Sequence, residues 1–459
     1  MNRYTVFLIA QLFCCVTYAQ VSELVESVFR VDDEPFLPFG IYTEGIYDEE
    51  DYLAIADSIV QTDMNTVWIE SNAVDEATYQ SFYATCAQNE LKTMVYLVPH
   101  NLFPEDFAYW LNFHKAFDSA IGWDILDDAN NFPLSQLVNQ SNQTLALDTT
   151  RVTYQSMYAL GVVESFSEQT ELTAMQGYPW GNGSDDLSTA YTRYSLFCDT
   201  VKRNGGFPLV NNQLFNWEEE TYPSAAHFDC QTYLSLVCGA RGIINYTYLD
   251  YDQDEPISVT QPELWGQLKQ IATEITSAEW KDFILFGDYE RVQLSSYVAY
   301  ATWTLAGETL LITFNGSAVN SELVSIDLSA LDVGSKDPVF DYRPDYLDLS
   351  ETGMLTGSLP PYGVAIYRLE ALTSSTLPES SEEEAIRIYP NPTRSFFQIT
   401  PKGTADKVIV FNTAGVKISI WQLRETSKVD LSNLPSGVYF VEVQNEQNVT
   451  LAIDKIVKI

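Results

Sequence analysis

The chain has 459 residues, 46% of them hydrophobic, and a net charge of −39. That length allows two or three cored domains, and so acidic a surface repels phosphate backbones and anionic lipid heads, so a neutral or cationic ligand is expected and nucleic acid is not. The charge is uneven: from Ile386 onward 9 basic residues face 6 acidic ones, net +3, while the stretch before has 15 against 57, net −42, which predicts a domain boundary near Ile386.

At the start of the chain a single basic residue, Arg3, precedes an apolar run from Val6 to Val16 and small residues near Ala19. This is the layout of a secretory signal peptide over 1–19. The run is too short to span a bilayer comfortably, so no integral membrane protein is expected. Beyond it lie Cys86, Cys198, Cys230 and Cys238, whose irregular spacing fits no metal motif and leaves disulfides or buried thiols open.

From about Phe36 to Phe286, short apolar runs alternate with helical periodicity. The runs are Pro38–Tyr42, Thr66–Ile69, Thr93–Val98, Ile121–Leu126, Val152–Met157, Leu172–Tyr178, Pro208–Phe215 and Gly242–Tyr248. Near-continuous hydrophobic strands separated by helices predict a parallel sheet covered on its outside, and eight units in this length predict an α/β (β/α)8 TIM barrel over 20–286. No Gly-rich phosphate turn follows the first strand, which disfavours an open doubly wound sheet. Two intervening helices show the expected apolar face, one through Leu53, Ala56, Ile59 and Val60, the other through Leu264, Leu268, Ile271 and Ile275. Past Gly287 the pattern becomes alternation, with strands expected at Val292–Val298, Thr309–Asn315, Leu323–Ile326 and Gly363–Leu369, an antiparallel β-sandwich over 287–370. A Ser/Thr-rich, then acidic stretch reads as a linker over 371–385.

Barrel chemistry sits at the C-terminal strand ends. The polar groups there are Glu44, Glu70, His100, Asp127, Asp128, Gln176, Tyr178, Gln213, Tyr246, Tyr248 and Asp250, with Trp68, Trp180 and Trp217 nearby; Tyr246 and Tyr248, two residues apart, are expected on one face of a strand. Carboxylates, amides and flat aromatic faces suit sugars, and glycosidic cleavage needs two carboxyl groups. Asp250-Tyr251-Asp252-Gln253-Asp254 imitates a calcium loop but has Glu255 where the sixth-position Gly belongs and Gln261 where the twelfth-position Glu belongs. With three histidines in the chain, neither a zinc centre nor any other cofactor is expected.

Several blocks carry a family likeness. Gly122-Trp123-Asp124-Ile125-Leu126-Asp127-Asp128, Asp148-Thr149-Thr150-Arg151, Gln176-Gly177-Tyr178-Pro179, Asn212-Gln213-Leu214-Phe215 and Gly239-Ala240-Arg241-Gly242-Ile243-Ile244-Asn245-Tyr246 together resemble, in order and spacing, TIM-barrel glycoside-hydrolase-like proteins. The resemblance implies that Asp127 and Asp128 form the core of the site, with Asp128, in place of the family's Glu, as candidate general acid. The remaining rim residues, by their position and chemistry, are the candidates for substrate binding. Gln213 stands where many retaining members carry a nucleophilic Glu, so the second carboxylate is open among Glu44, Glu70 and Asp250.

At the other end, Ile386-Arg387-Ile388-Tyr389-Pro390-Asn391-Pro392, Asn412-Thr413-Ala414-Gly415, Leu434-Pro435-Ser436-Gly437-Val438-Tyr439 and Asp454-Lys455-Ile456-Val457-Lys458-Ile459 closely resemble the C-terminal sorting domain of the type IX secretion system. That likeness implies a small Ig-like β-sandwich over 386–459, a partnership with the type IX machinery, and a secreted or outer-membrane surface-attached protein. The expected function is therefore an exported glycoside hydrolase with a carbohydrate substrate; the alternative is an inactive barrel serving as a surface glycan-binding protein or adhesin.

Overall fold

A computed structural model describes residues 21–44, 46, 49–181, 185–216, 221–249, 255–331, 333–371, 387–389, 393, 396–400, 406–412, 416–423, 428–445 and 450–458. The expected signal peptide, Trp217, the calcium-like run with Asp250 and, apart from Ala371, the linker expected over 371–385 lie outside the described residues. The chain divides into two compact units, Met1–Thr373 and Ser374–Ile459.

The first unit opens with a small meander, β1 (Ser22–Val25), β2 (Val28–Val31) and β3 (Glu34–Pro35). It sits at the N-terminal end of a closed, eight-stranded parallel barrel: the Ser22 hydroxyl donates to Ile121 O and accepts from Val152 N, and Arg241 donates to Ser27 O at 2.6 Å. The barrel strands are β4 (Phe39–Tyr42), β5 (Thr66–Glu70), β6 (Lys92–Tyr96), β7 (Ala120–Leu126), β8 (Val152–Met157), β9 (Leu172–Gly177), β10 (Phe207–Asn212) and β11 (Ile243–Asn245). They pair in chain order, and β11 closes on β4. All eight expected runs contain strands, and their residues, pressed between helices outside and side chains inside, are buried on both faces and mostly apolar.

The helices that wrap the barrel are α1 (Glu49–Ile59), α2 (Glu76–Gln88), α3 (Pro104–His114), α4 (Leu134–Leu147), the single turn α5 (Val163–Phe166), α6 (Ser188–Arg203), α7 (Ala225–Val237), the short α8 (Ile257–Thr260), α9 (Pro262–Thr276) and α10 (Ala278–Phe286). Leu264, Leu268, Ile271 and Ile275 of α9 are buried as their spacing predicts. All four cysteines of the described chain are buried, free thiols. Asp148 and Arg151 lie at the opposite end from the strand tips. Arg151 is buried, pairs with Asp148 at 3.1 Å and donates to Ala120 O, Lys115 O and Phe117 O. This brace fixes the base of the barrel and stands apart from the site.

Beyond α10 follow β12 (Asp288–Gln293), β13 (Val298–Leu305), β14 (Glu308–Asn315), β15 (Glu322–Asp327), β16 (Val333–Pro338), β17 (Leu347–Leu349), β18 (Met354–Leu359) and β19 (Val364–Ala371). They form a five-stranded sheet in the order β12-β13-β14-β19-β16, packed on a three-stranded sheet β15-β18-β17. Alternate residues of the larger sheet serve two cores. Ala301, Trp303, Ile312 and Phe314 pack with the barrel helices, whereas Leu311, Ala365 and Tyr367 pack against the smaller sheet. The strand expected over Val292–Val298 is replaced by a hairpin turn: Leu294 N and Ser295 N both donate to Val298 O, and the Ser295 hydroxyl accepts from Tyr297 N and Val298 N. The Ser295 hydroxyl thus supplies turn hydrogen bonds that compete with an extended run.

One buried ionic cluster ties sandwich to barrel. Arg343 pairs with Asp229 of α7 at 2.9 Å and with Glu274 of α9 at 2.6 Å, and the Tyr342 hydroxyl donates to Glu274 at 2.7 Å. Burial pushes the Asp229 carboxyl above its ordinary value, and Arg343 acts against that shift. Removing one partner of a buried pair strands the other charge. Arg343→Met should therefore lower unfolding free energy in urea by about 3–5 kcal/mol. Combining it with Asp229→Asn and Glu274→Gln should return most of that loss; a single variant as stable as the native protein would exclude the cluster as a major tie.

The second unit holds β20 (Arg387–Tyr389), β21 (Phe396–Thr400), β22 (Lys407–Asn412), β23 (Lys417–Gln422), β24 (Lys428–Asp430), β25 (Gly437–Gln444) and β26 (Thr450–Lys458). A three-stranded sheet β20-β21-β24 and a four-stranded sheet β23-β22-β25-β26 enclose Phe397, Ile399, Val408, Val410, Val441, Val443 and Ile456. Residues two apart, such as Phe397 and Ile399, Val408 and Val410, and Val441 and Val443, supply the inner faces of the sandwich.

Candidate active site

The barrel interior below the strand tips is aromatic. Trp68 of β5 is stacked between Tyr42 of β4, at 4.4 Å between ring centres, and Tyr96 of β6, at 5.6 Å. The Tyr42 and Tyr154 hydroxyls lie 2.8 Å apart, Tyr154 donates to Asn211 Oδ1, and Asn211 donates back to the Tyr42 oxygen. Into this layer reaches Asp124 of β7, fully buried, accepting from Trp68 Nε1 at 2.7 Å and from Leu126 N. Burial, then the neighbouring Asp127 charge, raises the Asp124 carboxyl well above the usual range.

Asp127 faces the same interior because β7 carries a bulge. Asp124 pairs with Tyr154 of β8, but Leu126 pairs with the next residue, Gln155, so Ile125 is one residue too many. Simple alternation would turn Asp127 outward if Asp124 points in; the extra residue reverses the phase. The Asp127 carboxylate then accepts from the Ser156 hydroxyl, which itself accepts from Gln176 Nε2 at 3.0 Å and from Asp128 N at 3.3 Å. That hydroxyl thus uses one donor and two acceptor positions. Burial, followed by the Glu44 charge, raises Asp127 from 3.8 to about 7, against the pull of the Ser156 hydrogen bond.

Asp128 follows in a left-handed conformation, φ 48° and ψ 39°, which aspartate adopts more readily than most residues. Its carboxylate accepts from Asn131 Nδ2 at 3.3 Å. It lines a cavity of about 580 Å³ with Tyr158, Gln176, Tyr178, Asp186 and Arg193 among the walls.

The other rim residues fall into groups. Glu44 and Glu70 are half-buried, and both charges raise the Tyr96 hydroxyl after burial and the charges of Asp124 and Asp127 have done so. Tyr178 and Tyr246 join this interior, their rings 5.8 Å apart and each edge-on to Phe215. Trp180 is half-buried, donates to Thr221 O at 2.6 Å and packs on His227. His100 is edge-on to Phe107, its backbone N–H bound to Gln140. Gln213 is fully buried with its amide on the backbone of Trp180 and Phe215, so it holds the loop after β9.

Tyr248 departs from the expectation that it shares a face with Tyr246. β11 ends at Asn245, and beyond it the Tyr248 ring turns to Trp265 of α9 while its hydroxyl meets Ser258. Asp124, Ser156, Tyr158 and Arg193 were not singled out by sequence. Asp124 lies within the Gly-Trp-Asp block, and Ser156 lies two residues beyond Tyr154, the strand spacing that puts both on one face. Tyr158 and Arg193 carry no such signal.

Among known families, a secretion system C-terminal sorting domain matches residues 387–458. The C-terminal unit is that sorting domain. It directs the protein through type IX secretion to the cell surface or the medium. Among the described residues, no helix is long and apolar enough to cross a membrane. No curated protein matches the chain. Solved structures that resemble it in fold include two carbohydrate-active enzymes. An α-amylase from Geobacillus thermoleovorans complexed with acarbose superposes with a TM-score of 0.53 at 10% identity, covering 71% of this chain and 93% of that one. A GH27 β-L-arabinopyranosidase from Geobacillus stearothermophilus in complex with arabinose gives 0.51 at 11% identity, covering 72% and 96%. At such identities the likeness is one of fold.

The raised Asp127 carboxyl has a consequence for stability. A carboxyl that titrates higher folded than unfolded contributes stability that is full below pH 3.8 and is lost as pH rises through about 7. Asp127→Asn removes that loss. The melting temperature of the variant minus that of the native protein should therefore climb from pH 4 to pH 8; a flat difference would place the Asp127 titration outside this window.

Proposed function

We propose that the protein is an exported glycoside hydrolase in which Asp127 carries the proton. The observation that supports this most is the raised Asp127 carboxyl, poised near neutral pH among Glu44 and Asp124 and joined through Ser156 to the cavity-lining Asp128. A general acid works best when its pKa lies near the operating pH. The proton-donor role thereby moves from Asp128 to Asp127, and Glu44, whose charge helps to keep the proton on Asp127, serves as the ionised partner. Asp128 binds sugar hydroxyls from the cavity wall, with Tyr158 and Tyr178 offering ring faces to the C–H side of the sugar.

Asp127→Asn and Glu44→Gln should each lower turnover of a hydrolysed glycan by roughly a hundredfold to ten-thousandfold while binding persists. Unaltered turnover in Asp127→Asn would remove it from the chemistry. A second reading, a non-catalytic glycan binder, is favoured by Gln213: the seventh barrel strand ends in an amide bound to backbone rather than in a carboxylate. Binding without turnover across a broad glycan panel would decide for it.

Export is separable from either reading. Deleting 387–458 should hold the protein inside the outer membrane, as read by fractionation and surface protease accessibility. A truncated chain still found on the surface or in the medium would overturn the addressing role.

A further inference from the structure

We propose that the cavity beside Asp128 accepts a glycan bearing an oxyanion substituent, a uronate carboxylate or a sulfate ester, recognised by Arg193. The inference rests on the glycan-binding reading above and narrows its substrate class.

Arg193 is half-buried on α6 and, among the described residues, is the one basic residue lining the cavity. Arg151, Arg203, Arg291, Arg343 and Arg368 each meet a carboxylate within 3.1 Å, in a region where acids far outnumber bases. Among the described residues, Arg30, Arg193 and Arg241 form no such pair, and of these three Arg193 lines the cavity; its Nη2 donates to Tyr158 O at 2.7 Å. A guanidinium has five N–H donors, and that one hydrogen bond leaves the others for a ligand in the cavity that Arg193 lines. A guanidinium fork matches carboxylate or sulfate oxygens two at a time.

The partner of that fork is held in place. Tyr158 is 45% exposed, yet its N–H donates to Asn130 Oδ1 at 2.8 Å and its hydroxyl to Asn131 Oδ1 at 2.7 Å. Asn131 also donates to Asp128. One hydrogen-bonded chain thus runs Asp128, Asn131, Tyr158, Arg193 around the cavity, setting an aromatic face between a carboxylate and a cation. Asp186, the remaining charged wall residue, accepts from Ser188 N and its hydroxyl at the start of α6. The acidic body opposes dense polyanions, so the fitting ligand is a largely neutral glycan with isolated charged substituents.

The test is a glycan array of matched sets: oligosaccharides with a single uronate, the same after carboxyl reduction, sulfated counterparts and their desulfated forms. The full-length protein, Arg193→Gln and Arg193→Lys are compared. The native protein should bind an acidic member roughly tenfold to a hundredfold tighter than its neutral match. Arg193→Gln should level that ratio, and Arg193→Lys, which keeps the charge and the stem, should restore part of it. Preference for uronate alone or sulfate alone identifies the source of the oxyanion. Equal or tighter binding of the neutral members, an unchanged ratio in Arg193→Gln, or no binding to any member would overturn the inference. An acid preference without turnover would defeat the hydrolase reading and leave this one standing; turnover of neutral glycans indifferent to Arg193 would do the reverse.

Discussion

In the fourth barrel strand, Ile125 has no counterpart on β8, and that single unpaired residue sets which way Asp127 points. Every other feature of the proposed chemistry follows from the resulting inward turn. Asp127 comes under the influence of Glu44 and Asp124, its carboxylate meets Ser156, and Asp128 is carried to the cavity wall in a left-handed turn. A regular strand would send Asp127 toward the helical layer, where a carboxylate would meet apolar side chains at a cost of several kcal/mol.

The aromatic layer beneath gives this acid cluster its electrical character. Tyr42, Trp68, Tyr96 and Tyr154 exclude water from below, so the charges of Asp124, Asp127 and Glu44 are poorly screened from one another. Trp68 Nε1 offers one stabilising donor to Asp124, and the Ser156 hydroxyl one to Asp127. Neither offsets desolvation, which is why both carboxyls titrate high.

The barrel was legible because its strands are buried on both faces, and runs such as Thr93–Val98 are almost wholly apolar, with no polar alternation to disguise them. The β-sandwich was legible in part: Thr309–Asn315 alternates between two apolar cores, whereas the polar Ser295 hairpin hides inside a run that reads as extended. At the site, the adjacent acids Asp127 and Asp128 stood out, but the bulge that aims Asp127 leaves no trace in composition. Tyr248 misled because alternation holds only while the strand lasts, and β11 is three residues long. Tyr158 and Arg193 escaped because one follows β8 on a loop and the other lies on a helix, and long-range proximity between them is a product of closure.

The Arg343 cluster bears on how such a chain can be rearranged in evolution. Glu274 is completely shielded from solvent inside α9, yet its counter-cation is delivered from the sandwich. A barrel excised near Phe286 would retain two interior acids and forfeit the guanidinium that neutralises them. Recombination that moves this barrel into another chain therefore has to transfer the β-sandwich along with it, as a single inherited cassette.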